Sequence, residues 1–221
     1  MTAKDLINYM IPPLKITDDV DKARQWMEEF RLSELPVTDQ GKFLGILTED
    51  IIFNFPSQPE AIGAYELTGT ECIVNGEQHF YEVMKKAYTT GMRIVAVKDD
   101  EDKYLGVVAI EDVVEAFASS TSIHSPGAIL VFSMDFRDYS LSEISRIIEM
   151  NDARVMSTHI MNDLEEPGKI KLTIKINLEE TAHLKTALET RGYTVVESYS
   201  KQSSSDVDQD RLDSLMKYLT I

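Results

Sequence analysis

Cations, thiols and long apolar runs are all scarce in this sequence. Lys and Arg number 22 against 38 Asp and Glu, a formal net charge of −16. A phosphate backbone is gripped by clustered Lys and Arg, so this balance argues against nucleic acid as the main partner. The same deficit argues against anionic membrane surfaces. There is one cysteine, Cys72, so no intramolecular disulfide and no CxxC metal knuckle can form. Nothing then calls for an oxidising compartment. The opening residues Met1 to Met10 lack the apolar core of a signal peptide. No run approaches the roughly 20 apolar residues that span a bilayer. The expectation is a cytoplasmic protein with neither nucleic acid nor membrane as partner.

Catalytic and metal signatures are missing as well. His79, His124, His159 and His183 are dispersed and form no HxH or HExxH pair. No P-loop, Rossmann glycine fingerprint or GxSxG occurs. Cys72 has no Lys, Arg or His in the five residues before it, so nothing in the sequence activates a thiolate. Asp99-Asp100-Glu101-Asp102 lacks the alternate spacing and the Gly of an EF-hand and reads as a solvated turn. No catalytic residue, metal site or resident cofactor is assigned, and the protein is not expected to be an enzyme.

What is present is ordinary globular material: 221 residues, 43% hydrophobic and 27% charged, enough for about one to two domains with real cores. An internal repeat stands out. Leu35-Pro36-Val37, a polar turn and Phe43-Leu44-Gly45-Ile46-Leu47-Thr48-Glu49-Asp50 form the first copy. Val95-Ala96-Val97, a polar turn and Tyr104-Leu105-Gly106-Val107-Val108-Ala109-Ile110-Glu111-Asp112 form the second. Each reads as a hairpin of short strands running into a helix. Each also follows a helix, signalled by Val20, Ala23, Met27 and Phe30 and by Phe80, Val83, Met84, Ala87 and Tyr88. Thr17, Asp18 and Asp19 are capping candidates for the first of these, and Gly91 ends the second.

The two copies resemble a tandem pair of cystathionine-β-synthase-type (CBS) domains, a Bateman module, over residues 1–120 (about 1–58 and 59–120). The resemblance implies clefts between the copies that bind AMP, ATP or another adenosyl ligand. The familiar site signature is Gly, two apolar residues, Thr or Ser, two residues, then Asp. A carboxylate at a helix start accepts hydrogen bonds from ribose hydroxyls, while a Thr hydroxyl and free helix N–H groups hold a phosphate. The first copy keeps Thr48 but brings its acid, Asp50, one residue early, about 100° around a helix. The second has Asp112 at the expected spacing but Ala109 in place of the Thr, and Ala96 where the first copy has Pro36. Candidate nucleotide-binding residues are therefore Pro36, Thr48, Asp50, Arg93 and Asp112, with Asp112 the better placed carboxylate. The alternative is that Asp50 and Asp112 serve only as first-turn helix acids.

A polar stretch, Ser119 to Gly127, separates this half from a second domain. Ala128 to Met134 reads as a buried strand, and Ser140-Leu141-Ser142-Glu143 as a capping box opening a helix lined by Leu141, Ile144 and Ile148. Arg154 to Met161 and the alternating Lys169 to Ile176 read as strands. Asn177 reads as the cap of a helix carrying Leu184 and Leu188, ended by Gly192, before a last strand from Tyr193 to Ser198. The order β-α-β-β-α-β over residues 127–199 is ferredoxin-like. Behind a Bateman module it resembles an ACT domain, so the whole chain is similar to CBS–ACT regulatory proteins, including the acetoin-utilisation-like ones. The fold class is thus α+β: paired β-α-β-β-α repeats, then a ferredoxin-like domain. The loop where ACT domains carry Asp-x-Pro-Gly reads Asp135-Phe136-Arg137-Asp138, without Pro or Gly. Asp135, Arg137 and Asp138 are the ACT-ligand candidates, Arg137 for an amino-acid carboxylate and Asp138 for its ammonium, or the loop is a plain ion-paired turn. Residues 200–221 read as a linker and an amphipathic helix from about Asp208, with Leu212, Leu215, Met216 and Leu219 on one face. Two functions fit: a non-catalytic sensor of an AMP-like ligand that signals through a homodimer, or a ligand-free dimerisation and docking scaffold.

Overall fold

Apolar residues at helical spacing, followed by two short apolar strands, build the same unit twice in the computed structural model, which describes residues 1–54, 61–120 and 122–200. The chain divides into two units, Met1–Phe117 and Ala118–Ile221. In the first copy, β1 (Leu14–Lys15) and α1 (Val20–Phe30) lead into the hairpin β2 (Glu34–Asp39) and β3 (Lys42–Thr48) and then α2 (Glu49–Asn54). In the second, β4 (Ile73–Asn75) and α3 (Phe80–Thr90) lead into β5 (Ile94–Lys98), β6 (Tyr104–Ala109) and α4 (Ile110–Ser120). The sheet orders are β1-β2-β3 and β4-β5-β6, with the first pair parallel and the second antiparallel in each. Both hairpins carry a register shift at the matching place, Val37/Thr38 and Val97/Lys98.

Helix α1 starts where the Asp19 carboxylate accepts the Lys22 N–H at 2.7 Å, taking up one of the donors that a helix start leaves free. It buries Val20, Ala23 and Met27. Helix α3 buries Phe80, Val83 and Ala87, but Met84 and Tyr88, expected on its core face, stand 37% and 90% exposed. The core face of an eleven-residue helix is a stripe about 100° wide. Positions 80, 83 and 87 fill it, so one residue further round faces water. One continuous core joins the two copies, with Leu35, Ile46 and Leu47 from one and Val95, Val97 and Val108 from the other.

Each copy is completed by the segment that precedes its twin. Residues ahead of β1 lie on the second copy: the N–H groups of Ala3, Lys4 and Asn8 donate to the carbonyls of Gln78, Gly76 and Val107 at 2.8, 3.0 and 2.8 Å. Residues ahead of β4 lie on the first: Ile62 and Gly63 donate to Asp18 and Ile16, both at 2.8 Å, and Ile46 and Thr68 exchange two bonds. The crossings occur over Gly106 and Gly45. A Cβ on Gly106 would collide with Ile7, and one on Gly45 would come within 2.9 Å of Leu67 Cβ and the Thr68 carbonyl. The repeated Gly is needed because another backbone passes directly above it.

The second unit is a four-stranded antiparallel sheet in the order β10-β7-β9-β8, from β7 (Ala128–Asp135), β8 (Val155–Asn162), β9 (Lys169–Ile176) and β10 (Val195–Tyr199). With α5 (Leu141–Met150) and α6 (Ala182–Thr190) it has the β-α-β-β-α-β order and the 4-1-3-2 strand arrangement of a ferredoxin-like fold. Strand β9 alternates as expected, with Ile170, Leu172, Ile174 and Ile176 buried against Ile144, Ile148, Leu184 and Leu188. Two expected caps differ. Asn177 accepts the Arg154 N–H at 2.6 Å, so it ties β8 to the end of β9, and α6 begins later, after Thr181. Ser140 accepts the Glu143 N–H at 3.4 Å, but the Glu143 carboxylate takes the Tyr193 hydroxyl at 2.9 Å. A long-range phenol outcompetes the local N–H for that carboxylate. The amphipathic segment with Leu212, Leu215, Met216 and Leu219 lies outside the described residues.

Candidate functional site

A polar cavity of about 410 Å³ opens where the two copies of the first unit meet, within the size range of small-molecule sites. Ser33 and Glu34 at the start of β2, Thr48 at the end of β3, Glu49, Asp50 and Ile51 at the start of α2, Thr68, and Gly91 and Met92 after α3 line it. Three things put these side chains together. The hairpin brings Glu34 opposite Thr48, the strand-to-helix turn places Glu49 and Asp50 beside them, and the segment ahead of β4 lays Thr68 across Ile46. Thr48 opens α2, its hydroxyl accepting the Ile51 N–H at 3.2 Å.

Glu34 is buried at 9% exposure. Its Oε2 accepts the N–H groups of Arg93 and Ile94, at 2.8 and 3.2 Å, and so bridges the two copies. Burial pushes its carboxyl pKa up, against the pull of those two N–H donors and of the Arg93 charge, with Glu111 adding to the rise. Nothing in the sequence reading pointed to Glu34. The available signal was a lone acid heading the otherwise apolar run Leu35-Pro36-Val37.

Of the candidate residues, Thr48 and Asp50 share this cavity. Pro36 is buried within β2, opposite Ile46. Arg93 offers its backbone N–H to Glu34 while its side chain is exposed. Asp112 stands in the corresponding turn of the second copy, and there the Asn8 amide donates to its Oδ2 at 2.9 Å. Asn8 is carried by the segment that crosses Gly106, just as Thr68 is carried by the one that crosses Gly45. Sequence spacing gave no hint of Asn8, because its partner is 104 residues away. In the second unit, Asp135 ends β7 and Phe136–Asp138 form a single 3-10 turn, with Asp135, Arg137 and Asp138 all exposed.

A second, open groove of about 450 Å³ runs between α1 and α2 past Met27, Leu32, Ile52 and Phe53. It contains neither Thr48 nor Asp50 and has apolar helix flanks for most of its wall. Cys72 is buried, with its Sγ 3.3 Å from both Thr90 Oγ1 and the Ile94 carbonyl. Burial raises its pKa, the opposite of an activated thiol. Among the described residues no group of three or more His, Cys, Asp or Glu could hold a metal, and no helix is long and apolar enough to cross a membrane.

The CBS domain profile matches residues 3–57 and 67–119. A CBS domain pair/ACT domain protein of Thermotoga maritima is similar at 18% identity and a TM-score of 0.48, over 54% of this chain and 98% of that one. The CBS-pair protein CBSX2 of Arabidopsis thaliana is similar at 17% identity and 0.46, over 54% and 95%. A CBS domain pair solved with 5′-methylthioadenosine and S-adenosyl-L-methionine is similar at 22% identity and 0.42, over 55% and 98%. No curated protein matches the sequence.

Proposed function

The chain carries a tandem pair of CBS domains, and from that premise we propose that it is a non-catalytic regulatory protein whose CBS pair senses an adenosyl ligand in the cavity between Thr48, Asp50 and Thr68. The carrying observation is that cavity, built by both copies at once and edged by the start of α2. A ligand bound there touches β2, α2 and the turn after α3 together. Its binding free energy therefore acts on the relation between the copies, which is what a sensor needs. Thr48 keeps a hydroxyl to donate, and Asp50 accepts from ribose. The protein works in the cytoplasm as a homodimer, which carries the signal outward.

Titration calorimetry with adenosine, AMP and ATP tests this. The expected result is saturable heat with at least one of them, weakened about ten- to a hundredfold by Thr48→Ala or Asp50→Ala, the scale of one lost charge-assisted hydrogen bond. A second reading, the ligand-free scaffold, draws on the other copy. There Asn8 already holds the Asp112 carboxylate, and Ala109 offers no hydroxyl. Millimolar adenosine, AMP and ATP giving neither heat nor a thermal shift would establish the scaffold instead. Sedimentation tests the dimer, which fails if only a species near 25.0 kDa persists across micromolar concentrations.

A further inference from the structure

Glu34 heads β2, is 9% exposed as a residue and lies in the wall of the cavity. Its Oε2 takes both nearby backbone donors, Arg93 N–H and Ile94 N–H. Its Oε1 makes no hydrogen bond among the described residues. The repeat itself does not require an acid at this place, because the corresponding residue at the start of β5 in the second copy is Ile94. In the first copy the carboxylate bridges the copies through Oε2 and leaves Oε1 over. Oε1 is not among the buried side-chain atoms left without a partner, so it opens on the cavity, where water or a ligand answers it.

We propose that Glu34 sets the ligand class of this cavity, admitting a nucleoside that brings a hydrogen-bond donor and no phosphate, and excluding nucleotides. The inference rests on reading the cavity as an adenosyl site and goes on to say which adenosyl compounds fit. A carboxylate only accepts hydrogen bonds, so a group set against Oε1 must be a donor, such as an exocyclic amine or a sugar hydroxyl, or a cation. The Arg93 and Ile94 N–H groups are spent on Oε2 and are not available to an anion. Glu49 and Asp50 line the same cavity and Glu111 adds its field, against Arg93 as the opposing cation. A phosphate entering here meets like charge from three lining side chains, Glu34 buried and Glu49 and Asp50 exposed and open to screening by salt.

Calorimetry at about 50 mM salt, with adenosine, AMP and ATP titrated into the intact chain, tests this. The expected order is adenosine tightest, AMP about tenfold weaker and ATP weaker again. Raising the salt to about 500 mM should narrow the adenosine-to-AMP ratio, because screening removes most of the repulsion. In Glu34→Gln that ratio should fall about threefold or more at low salt. Should Glu34→Gln fail to fold, the wild-type order and its salt dependence decide alone. AMP binding as tightly as adenosine, or a ratio unmoved in a folded Glu34→Gln, overturns the inference and leaves the adenosyl site standing. No heat from any of the three overturns both.

Discussion

Tyr104 buries its hydroxyl with no hydrogen-bond partner among the described residues, while its ring stacks on Phe43 at 6.4 Å between centroids. Burial drives its pKa far above the usual phenol range. An unmatched buried hydroxyl costs about 1–3 kcal/mol, so Tyr104→Phe should raise stability by about 1 kcal/mol in urea unfolding. A loss would mean that the hydroxyl is satisfied. Glu34 gives a pH dependence of definite sign. Its folded pKa lies above the unfolded one, so the native state keeps a proton that the unfolded chain has released. Its contribution is complete below the ordinary glutamate pKa and is lost as pH rises through the folded value. Urea midpoints of wild type and Glu34→Gln, compared from about pH 4 upward, should show this decline in the wild type only. Cys72, buried with a raised pKa, should ignore a thiol reagent in the native protein and react at once in denaturant. Native reactivity comparable with free cysteine would contradict its burial.

At the scale of elements, the crossing segments hold the first unit together, and Gly106→Ala is the sharpest probe of them. The added methyl meets Ile7 in a packed site, so a loss of about 1–3 kcal/mol is expected in urea unfolding. Ile7→Ala in the same background should recover part of it, by removing the atoms that clash. The crossings also show what was legible in the sequence. The repeat, the hairpins and the glycines could be read because each rests on local pattern. That Gly106 answers Ile7 could not, since only the folded topology brings residues so distant together. The same reason hid Asn8 from Asp112 and Glu34 from Arg93. In the second unit the alternation of β9 was readable because one face is buried, whereas the Asn177 and Glu143 caps were not. Their side chains found better partners in Arg154 and Tyr193.

At the scale of the whole molecule, the two units have separate hydrophobic cores. Each satisfies its own strands, so unfolding is expected in two steps. An adenosyl ligand should raise only the transition of the first unit, by about 2.7 kcal/mol at a hundred times its dissociation constant. Calorimetric scanning checks this, and a single transition that moves as a whole would show the units to be coupled. Whole-chain charge was legible from composition alone, yet it did not foretell where the acids gather. Three of them line one cavity, and that follows from strand register and turn geometry.

The crossed segments also have a consequence in time. Residues 3–8 leave the ribosome well ahead of the residues whose carbonyls they bind, Gly76, Gln78 and Val107. At about 5–20 residues per second, the last of these emerges roughly 5–20 s later. Through that interval Ala3 and Ile7, buried in the finished unit, have nothing to cover them. The first copy meanwhile waits for Ile62 to Thr68 to close over its own β3. The bonds that tie each crossing segment to the opposite copy therefore close only after both copies have emerged.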